Sequence, residues 1–296
     1  MATTLTISAL ADYVNTHKDE LLVKASVGGK SLEYAELMTN VAFKDAIPYL
    51  DSEVVLADGS ACGFDPQGSD TFGERYVETH PIKINKSWCP KDLRKKIYGD
   101  QIKWEAGRMN LPVEQAFAES NMNRIQDAVE DLVWQGNSEL GVTGWIDDAK
   151  GEELVTDVEF AEGATTIAKI DAMVAALPIK ALKKGVNLFL SYTDFRNYVA
   201  EQNASCCANR PIIDASAENL KYVGDSRITL VPVIGLEGKG VMVAATADAL
   251  VAATDIENSE NVYKMGQDEK TDEVYFKVEF LFGTAIKYPD EVVFGA

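Results

Sequence analysis

Histidine is almost missing from this chain: 296 residues contain only His17 and His80. Both lie in stretches of thin apolar patterning, where a catalytic imidazole would lack a supporting shell. A Ser-His-Asp or Cys-His site therefore has poor raw material. Cysteine is scarce too, with Cys62, Cys89, Cys206 and Cys207. Two of these are adjacent and none forms a CxxC pair. That argues against a metal cluster or disulfide framework and for free structural thiols in a reducing compartment. No apolar run reaches the roughly eighteen residues of a transmembrane helix. The opening MATTLTISALADYVNTHKDE has neither the basic leader nor the apolar stretch of a secretory signal. Positive charge is in deficit: 28 basic against 47 acidic side chains give a formal net charge of −19. That balance favours solubility and works against nucleic-acid or anionic-membrane binding as the main role.

Motifs for enzyme chemistry are missing as well. Gly28-Gly29-Lys30-Ser31 resembles the tail of a phosphate-binding loop, but the motif's first glycine is absent at the required spacing. Gly235, Gly238 and Gly240 do not match GxGxxG, and a strand follows them instead of a helix. The carboxylate pairs Asp147-Asp148, Glu152-Glu153 and Asp268-Glu269 lack calcium-loop spacing. The expectation is a protein with no catalytic residues, no cofactor and no metal.

What is present is a long amphipathic helix. Asn110 is a suitable N-cap, and Pro112 sits where a first-turn proline is tolerated. Met122, Ile125, Val129 and Leu132 recur at helical spacing, and Gly136 suits a left-handed stop. A helix over 112–135 would run about 35 Å, long enough to cross a domain. Before it lie arms and loops. Two short helical patterns, Leu5–Val23 and Ser31–Ile47, have stripes too thin to be stable alone, and Pro48 ends the second. A hairpin follows, with one strand at Val54-Val55-Leu56, a turn-rich ADGSACGFDPQGSD, and a second strand from Phe72 to Ile84 broken by Pro81 as an edge strand would be. It has too few apolar residues to fold by itself.

After Gly163 the pattern becomes compact. It predicts a helix from Thr165 or Thr166 to Leu177, a strand at Val186–Leu190, and a helix marked by Tyr192, Phe195 and Val199. Core strands are expected at Ile228–Ile234 and Val241–Ala245, then a short helix at Ala247–Ala253. The alternating Val274, Phe276, Val278 and Phe280 form a strand after the turn GQDEKTD, and a last strand covers 284–294, interrupted at Pro289.

Charge divides between neighbouring segments. Residues 51–82 carry seven acids, among them Asp58, Asp65, Asp70 and Glu74, against the single Arg75. Residues 83–108 are basic, with Lys91, Arg94, Lys95 and Lys96 at their centre. Two solvated faces would explain this. So would an acidic ribbon from one copy lying over a basic patch of the next. Exposed ion pairs contribute only about 0–1 kcal/mol each, so such a contact would set register more than affinity.

The order of these parts resembles the major capsid proteins of tailed bacteriophages, the Hong Kong 97-type shell fold. Trp88–Ile97 leads to the spine helix, Pro112–Gln135. Gly136 and Gly144-Trp145-Ile146 resemble the family's exit from it. VNLFLSYTDFRNYVAEQN is similar to its strand-then-helix, VPVIGL to its "G-x-P-V" region without the preceding glycine, and DEVYFKVEFLFGTAIKYPDEVVFG to its closing strands. The resemblance implies an α+β Hong Kong 97-like capsid fold. Its parts would be an N-terminal arm (1–50), an extended β-hairpin loop (51–87), a peripheral domain (88–177 and 251–296) with the spine helix at about 112–135, and an axial domain (178–250).

It also implies self-assembly through hexamers and pentamers into an icosahedral head enclosing double-stranded DNA, formed in the host cytoplasm. The loop would lie over a neighbouring subunit. Separate scaffolding, portal and decoration proteins would be partners, with weak, non-specific contact to packaged DNA and none to membrane. Residues 51–82 hold no lysine for the covalent cross-link of some relatives, and a chain starting at Met1 leaves little room for a fused scaffolding segment. An encapsulin-like nanocompartment shell is the alternative, and a metabolic α/β enzyme a more distant one. If the charge division matters, reversing Asp58, Asp65, Asp70 and Glu74 to lysine impairs assembly, read by electron microscopy, while circular dichroism shows a folded subunit. Normal assembly at low and high salt would rule it out.

Overall fold

A computed structural model describes residues 29–56, 68–88, 113–204, 219–255, 262–268 and 273–296. The expectations for Leu5–Val23, Asn110, His17 and all four cysteines fall outside these residues.

The spine helix α1 spans Val113–Gln135. Met122, Ile125, Val129 and Leu132 are buried, as their spacing predicts. The helix stops at Gly136, whose φ of +64° is the left-handed conformation that glycine adopts without strain. A tight turn follows, closed by the Asn137–Val142 bridge. The chain then enters a short helix, α2 (Trp145–Gly151), which the sequence pattern does not predict. Gly136 and Gly144 lie against each other, and a Cβ on either would overlap the other's backbone.

Two sheets flank this helix. The first contains β1 (Glu36–Thr39), β4 (His80–Trp88), β10 (Leu250–Thr254), β11 (Val262–Asp268) and β12 (Glu273–Ile286). The long β12 is its axis. β4 runs antiparallel along one side, from Trp88 opposite Val274 to His80 opposite Phe282. β10 and β11 share the other side, and β1 adds to β10 in parallel. His80 therefore stands in a ladder, not in a loose segment, and Pro81 lies on the sheet's edge as expected.

The second sheet has the order β5 (Thr156–Val158), β13 (Val292–Gly295), β9 (Met242–Ala245), β6 (Val186–Ser191), β8 (Ile228–Val233) and β7 (Leu220–Lys221). Its central strands are covered on both faces, and their alternation sorts the core. Phe189, Val231, Val243 and Phe294 face α1 and the first sheet. Leu188, Leu190, Leu230, Ala244 and Val293 face the other way, against helices α3 (Thr166–Ala176) and α5 (Tyr192–Ala204). The side chain of Thr165 caps α3 by accepting from the Ala168 amide at 3.3 Å. Helix α4 (Ile179–Lys184) leads into β6.

Four expectations fail in whole or in part. Ser31–Ile47 is not a helix: it is a 3-10 turn (Lys30–Tyr34), β1, and the start of the eleven-residue strand β2 (Lys44–Val54). Pro48 lies within β2, tolerated because each strand of a two-stranded ribbon is an edge. Ala247–Ala253 is not a helix. Leu250 and Ala252 face the main core while Val251 and Ala253 face the hairpin root, so two-sided burial overrides the helix preference of alanine. The last strand does not span 284–294. β12 continues to Ile286, a 3-10 turn at Pro289–Glu291 intervenes, and β13 joins the other sheet. The predicted strand over Phe72–Ile84 likewise divides at Thr79 into β3 (Gly68–Glu78) and β4.

The crossing at Thr79 passes directly over Gly283 of β12, where a Cβ would overlap the carbonyl of Glu78. Gly283→Ala is expected to cost about 2–3 kcal/mol in urea unfolding of the subunit, because backbone must shift. Gly151→Ala, with nothing within 4 Å of the new carbon, is the control that carries no such cost and gains up to about 1 kcal/mol from the helix preference of alanine.

Candidate assembly interface

Strands β2 and β3 form a two-stranded hairpin, from Lys44 opposite Glu78 to Val54 opposite Gly68. Directly opposed residues share a face. One face carries Ala46/Tyr76, Pro48/Glu74, Leu50/Phe72, Ser52/Asp70 and Val54/Gly68. Its apolar members are open to solvent: Phe72 and Val54 are each 79% exposed and Leu50 is 52% exposed. At its base Lys44 pairs with Glu78 at 2.5 Å and lies over the Tyr76 ring, 4.8 Å from the centroid. The other face carries Asp45/Val77, Ile47/Arg75 and Tyr49/Gly73. Ile47 and Val77 are buried against Val41, Val251, Ala253 and Ala285, which seats the root on the first sheet. The Tyr49 ring covers Gly73 so closely that no side chain would fit there.

One set of polar contacts closes the base of the hairpin and another joins it to the body. Thr79 donates its amide to the Phe43 carbonyl at 2.7 Å, and its hydroxyl accepts from the Phe43 amide at 2.9 Å. This holds Phe43 at a φ of +72°, uncommon for a bulky side chain. Arg75 makes a two-pronged pair with Glu152 at the end of α2, with Nη1–Oε1 2.6 Å and Nη2–Oε2 3.1 Å, and Nη1 also reaches the Ile286 carbonyl at 3.4 Å. Glu152 raises the Arg75 pKa, chiefly through this hydrogen bond.

Beside the pair is a polar cleft of about 320 Å³ lined by Arg75, His80, Thr143, Asp148, Glu152 and Thr284. Asp148 Oδ2 is buried there without a hydrogen-bond partner. Burial pushes this carboxyl up to about 6, with Glu152 and Asp147 adding to the effect and a hydrogen bond with Thr143 opposing it.

Of the acidic and basic residues singled out by sequence, Asp58, Asp65, Lys91, Arg94, Lys95 and Lys96 lie outside the described residues. Asp70 and Glu74 are on the exposed apolar face. Asp70 accepts from the Ser52 hydroxyl, and Glu74 accepts from Tyr76 Oη at 3.3 Å. Asp70 and Glu74 are thus interleaved with Leu50, Phe72 and Tyr76. Sequence reasoning passes over these apolar residues, because it ends the preceding helix at Pro48. The alternation from Lys44 to Val54 is the signal that could have found them.

No family model and no curated protein sequence matches this chain. Solved structures do. The virus-like particle from Pyrococcus furiosus matches with a TM-score of 0.54 at 11% identity, covering 94% of this chain and 96% of that one. The satellite phage P4 procapsid matches with a TM-score of 0.62 at 10% identity, over 100% and 91%. Mycobacterium phage Ogopogo matches with a TM-score of 0.59 at 13% identity, over 89% and 90%. The chain has the Hong Kong 97-type capsid fold. At these identities the shared property is the fold, which extends over nearly the whole length. The hairpin β2–β3 begins at Lys44, earlier than the residue 51 at which a hairpin is expected from the sequence.

The Asp148 shift has a definite sign. Its folded pKa lies above the usual 3.8, so between about pH 4 and 6 the folded subunit keeps a proton that the unfolded chain has released. Stability from this group is present at low pH and is lost as pH rises through 6. Asp148→Asn should match the natural chain near pH 4 and exceed it by about 2 kcal/mol above pH 7, after discounting for partial exposure. Urea unfolding across pH tests this, and a difference that does not vary with pH would contradict it.

Proposed function

We propose that this chain is the major capsid protein of a tailed phage, assembling through pentamers and hexamers into an icosahedral head around double-stranded DNA. One observation carries the reading: a chain with the capsid fold over nearly its full length projects a hairpin whose apolar face its own body leaves uncovered. A ribbon of this kind gains little for the isolated subunit, since Leu50, Val54 and Phe72 remain in water. Each such side chain contributes about 1.5–3 kcal/mol when buried, against about 0–1 for an exposed ion pair. The apolar members therefore supply the affinity of a contact with a neighbouring copy. The acids between them, with Lys91, Arg94, Lys95 and Lys96 of the basic segment, set its register.

On this reading the described residues within 178–250 belong to the axial region, and α1 with the first sheet to the peripheral region. Separate scaffolding, portal and decoration proteins are the partners it calls for. The basic segment meets packaged DNA weakly, and the protein ends in the virion after assembly in the host cytoplasm.

The test is expression followed by electron microscopy and sedimentation. Closed particles, or rings of five and six subunits, support the reading. A monomer at every concentration that turns over a small molecule would sink it. Replacing both Leu50 and Phe72 with serine should abolish particles and leave folded, soluble subunits. Unchanged particle yield would show that this face is not the contact.

A further inference from the structure

Past its root, the described residues of the hairpin show no packing that fixes its direction. Ile47 and Val77 are buried, while Leu50, Ser52, Val54, Asp70, Thr71 and Phe72 are all exposed. The span from the Ile47–Arg75 pair to the Val54–Gly68 pair is about 23 Å at strand rise. A rotation of about 10° at the root therefore displaces the far end by about 4 Å, most of the spacing between neighbouring strands. Something at the root must hold the angle if the exposed face is to meet a partner in one register.

Arg75 is placed to do so. It lies opposite Ile47, at the outer limit of the buried root, and grips Glu152 with both guanidinium prongs while also reaching the Ile286 carbonyl. Glu152 is a firm anchor, because it closes α2, which is itself sunk into the core through Trp145, Ile146 and Ala149. A planar fork on a carboxylate restricts direction as well as distance, which a point charge does not. The Thr79–Phe43 bonds fix where the chain crosses the sheet. The Arg75–Glu152 pair, several residues further out, fixes tilt.

We propose that the Arg75–Glu152 pair is a clamp that sets the angle at which the hairpin leaves the subunit, and hence the register in which it meets a second copy of this chain. Arg75 is a positioning residue: its side chain stays on its own subunit. The second clause rests on the shell reading above, and the first does not.

Both parts are separable by experiment. Spin labels carried on noncanonical amino acids at Thr71 and Ser138 report the hairpin's direction in unassembled subunits through their distance distribution. The natural chain should give a narrow distribution. Arg75→Ala and Glu152→Gln should each broaden it at least twofold, with circular dichroism unchanged. Arg75→Lys, which keeps the charge and loses the fork, should remain broadened, and the swap Arg75→Glu with Glu152→Arg should narrow it again. A distribution as narrow in Arg75→Ala as in the natural chain would overturn the clamp. In assembly, Arg75→Ala should lower the yield of regular particles about tenfold, restored by the swap. A broadened hairpin with normal particles would overturn the link from angle to register. A natural chain that forms no particles would sink the shell reading, while the distance measurement still decides the clamp.

Discussion

The C-terminal end of the spine helix is packed with no room for an additional carbon, and the rest of the fold is arranged around that constraint. Trp134 is fully buried there. Its ring lies 5.1 Å from Trp145 and 5.0 Å from Phe189, centroid to centroid. Trp145 donates to the Val251 carbonyl at 3.2 Å in the first sheet, and Phe189 belongs to the second. The indole nitrogen of Trp134 donates to the Ser31 hydroxyl at 2.6 Å, and Ser31 in turn bonds Glu130. The turn after β8 presses Gly235 against the same ring, and Gly144 presses against the Trp134 carbonyl. One aromatic side chain thus joins two sheets, the helix exit and the 3-10 turn at Lys30–Tyr34. Its substitution would leave a cavity shared by all of them.

Burial at this junction has an electrostatic side. Glu130 is almost completely enclosed, and desolvation raises its pKa, opposed by the two kinds of hydrogen bond that it accepts from Ser31. A carboxylate in such a place is costly unless its lone pairs are occupied. Here the Ser31 amide at the head of a 3-10 turn and the Ser31 hydroxyl occupy them, which fixes Gly29 and Lys30 against the helix. Glu291, also fully buried, accepts on Oε2 from Lys184 and from the Thr246 hydroxyl at 2.7 Å, while Oε1 has no hydrogen-bond partner and lies 2.7 Å from the Lys184 ammonium. Both acids join elements distant in sequence.

Much of the body is legible in the sequence, for a physical reason. Met122, Ile125, Val129 and Leu132 recur with the helical period, and Val186–Leu190 is a short apolar run, interrupted only by Asn187 and bounded by Gly185, so each element declares itself within its own length. What fails depends on distant partners. β1 is four residues with no alternation to speak of, and it is a strand because Val251–Thr254 lies beside it. Ala252 and Ala253 favour a helix until two cores claim opposite faces. Arg75 and Glu152 are 77 positions apart and carry no local sign of each other. The part of the candidate interface that alternating sequence could reveal, Leu50 and Phe72, is obscured by Pro48, which ends helices and is equally at home on the edge of a ribbon.

The register of β4 on β12 places residues 80–88 against 274–282. A chain emerging from the ribosome makes the first of these strands long before the second. Until β12 is complete there is no Gly283 for the Thr79 crossing to pass over and no Ala285 for Ile47 and Val77 to cover. A nascent subunit therefore cannot present its hairpin in a fixed orientation. Joining early strands to late ones in this way makes folding slow, and, under the shell function proposed above, it would also tie association to the completion of synthesis.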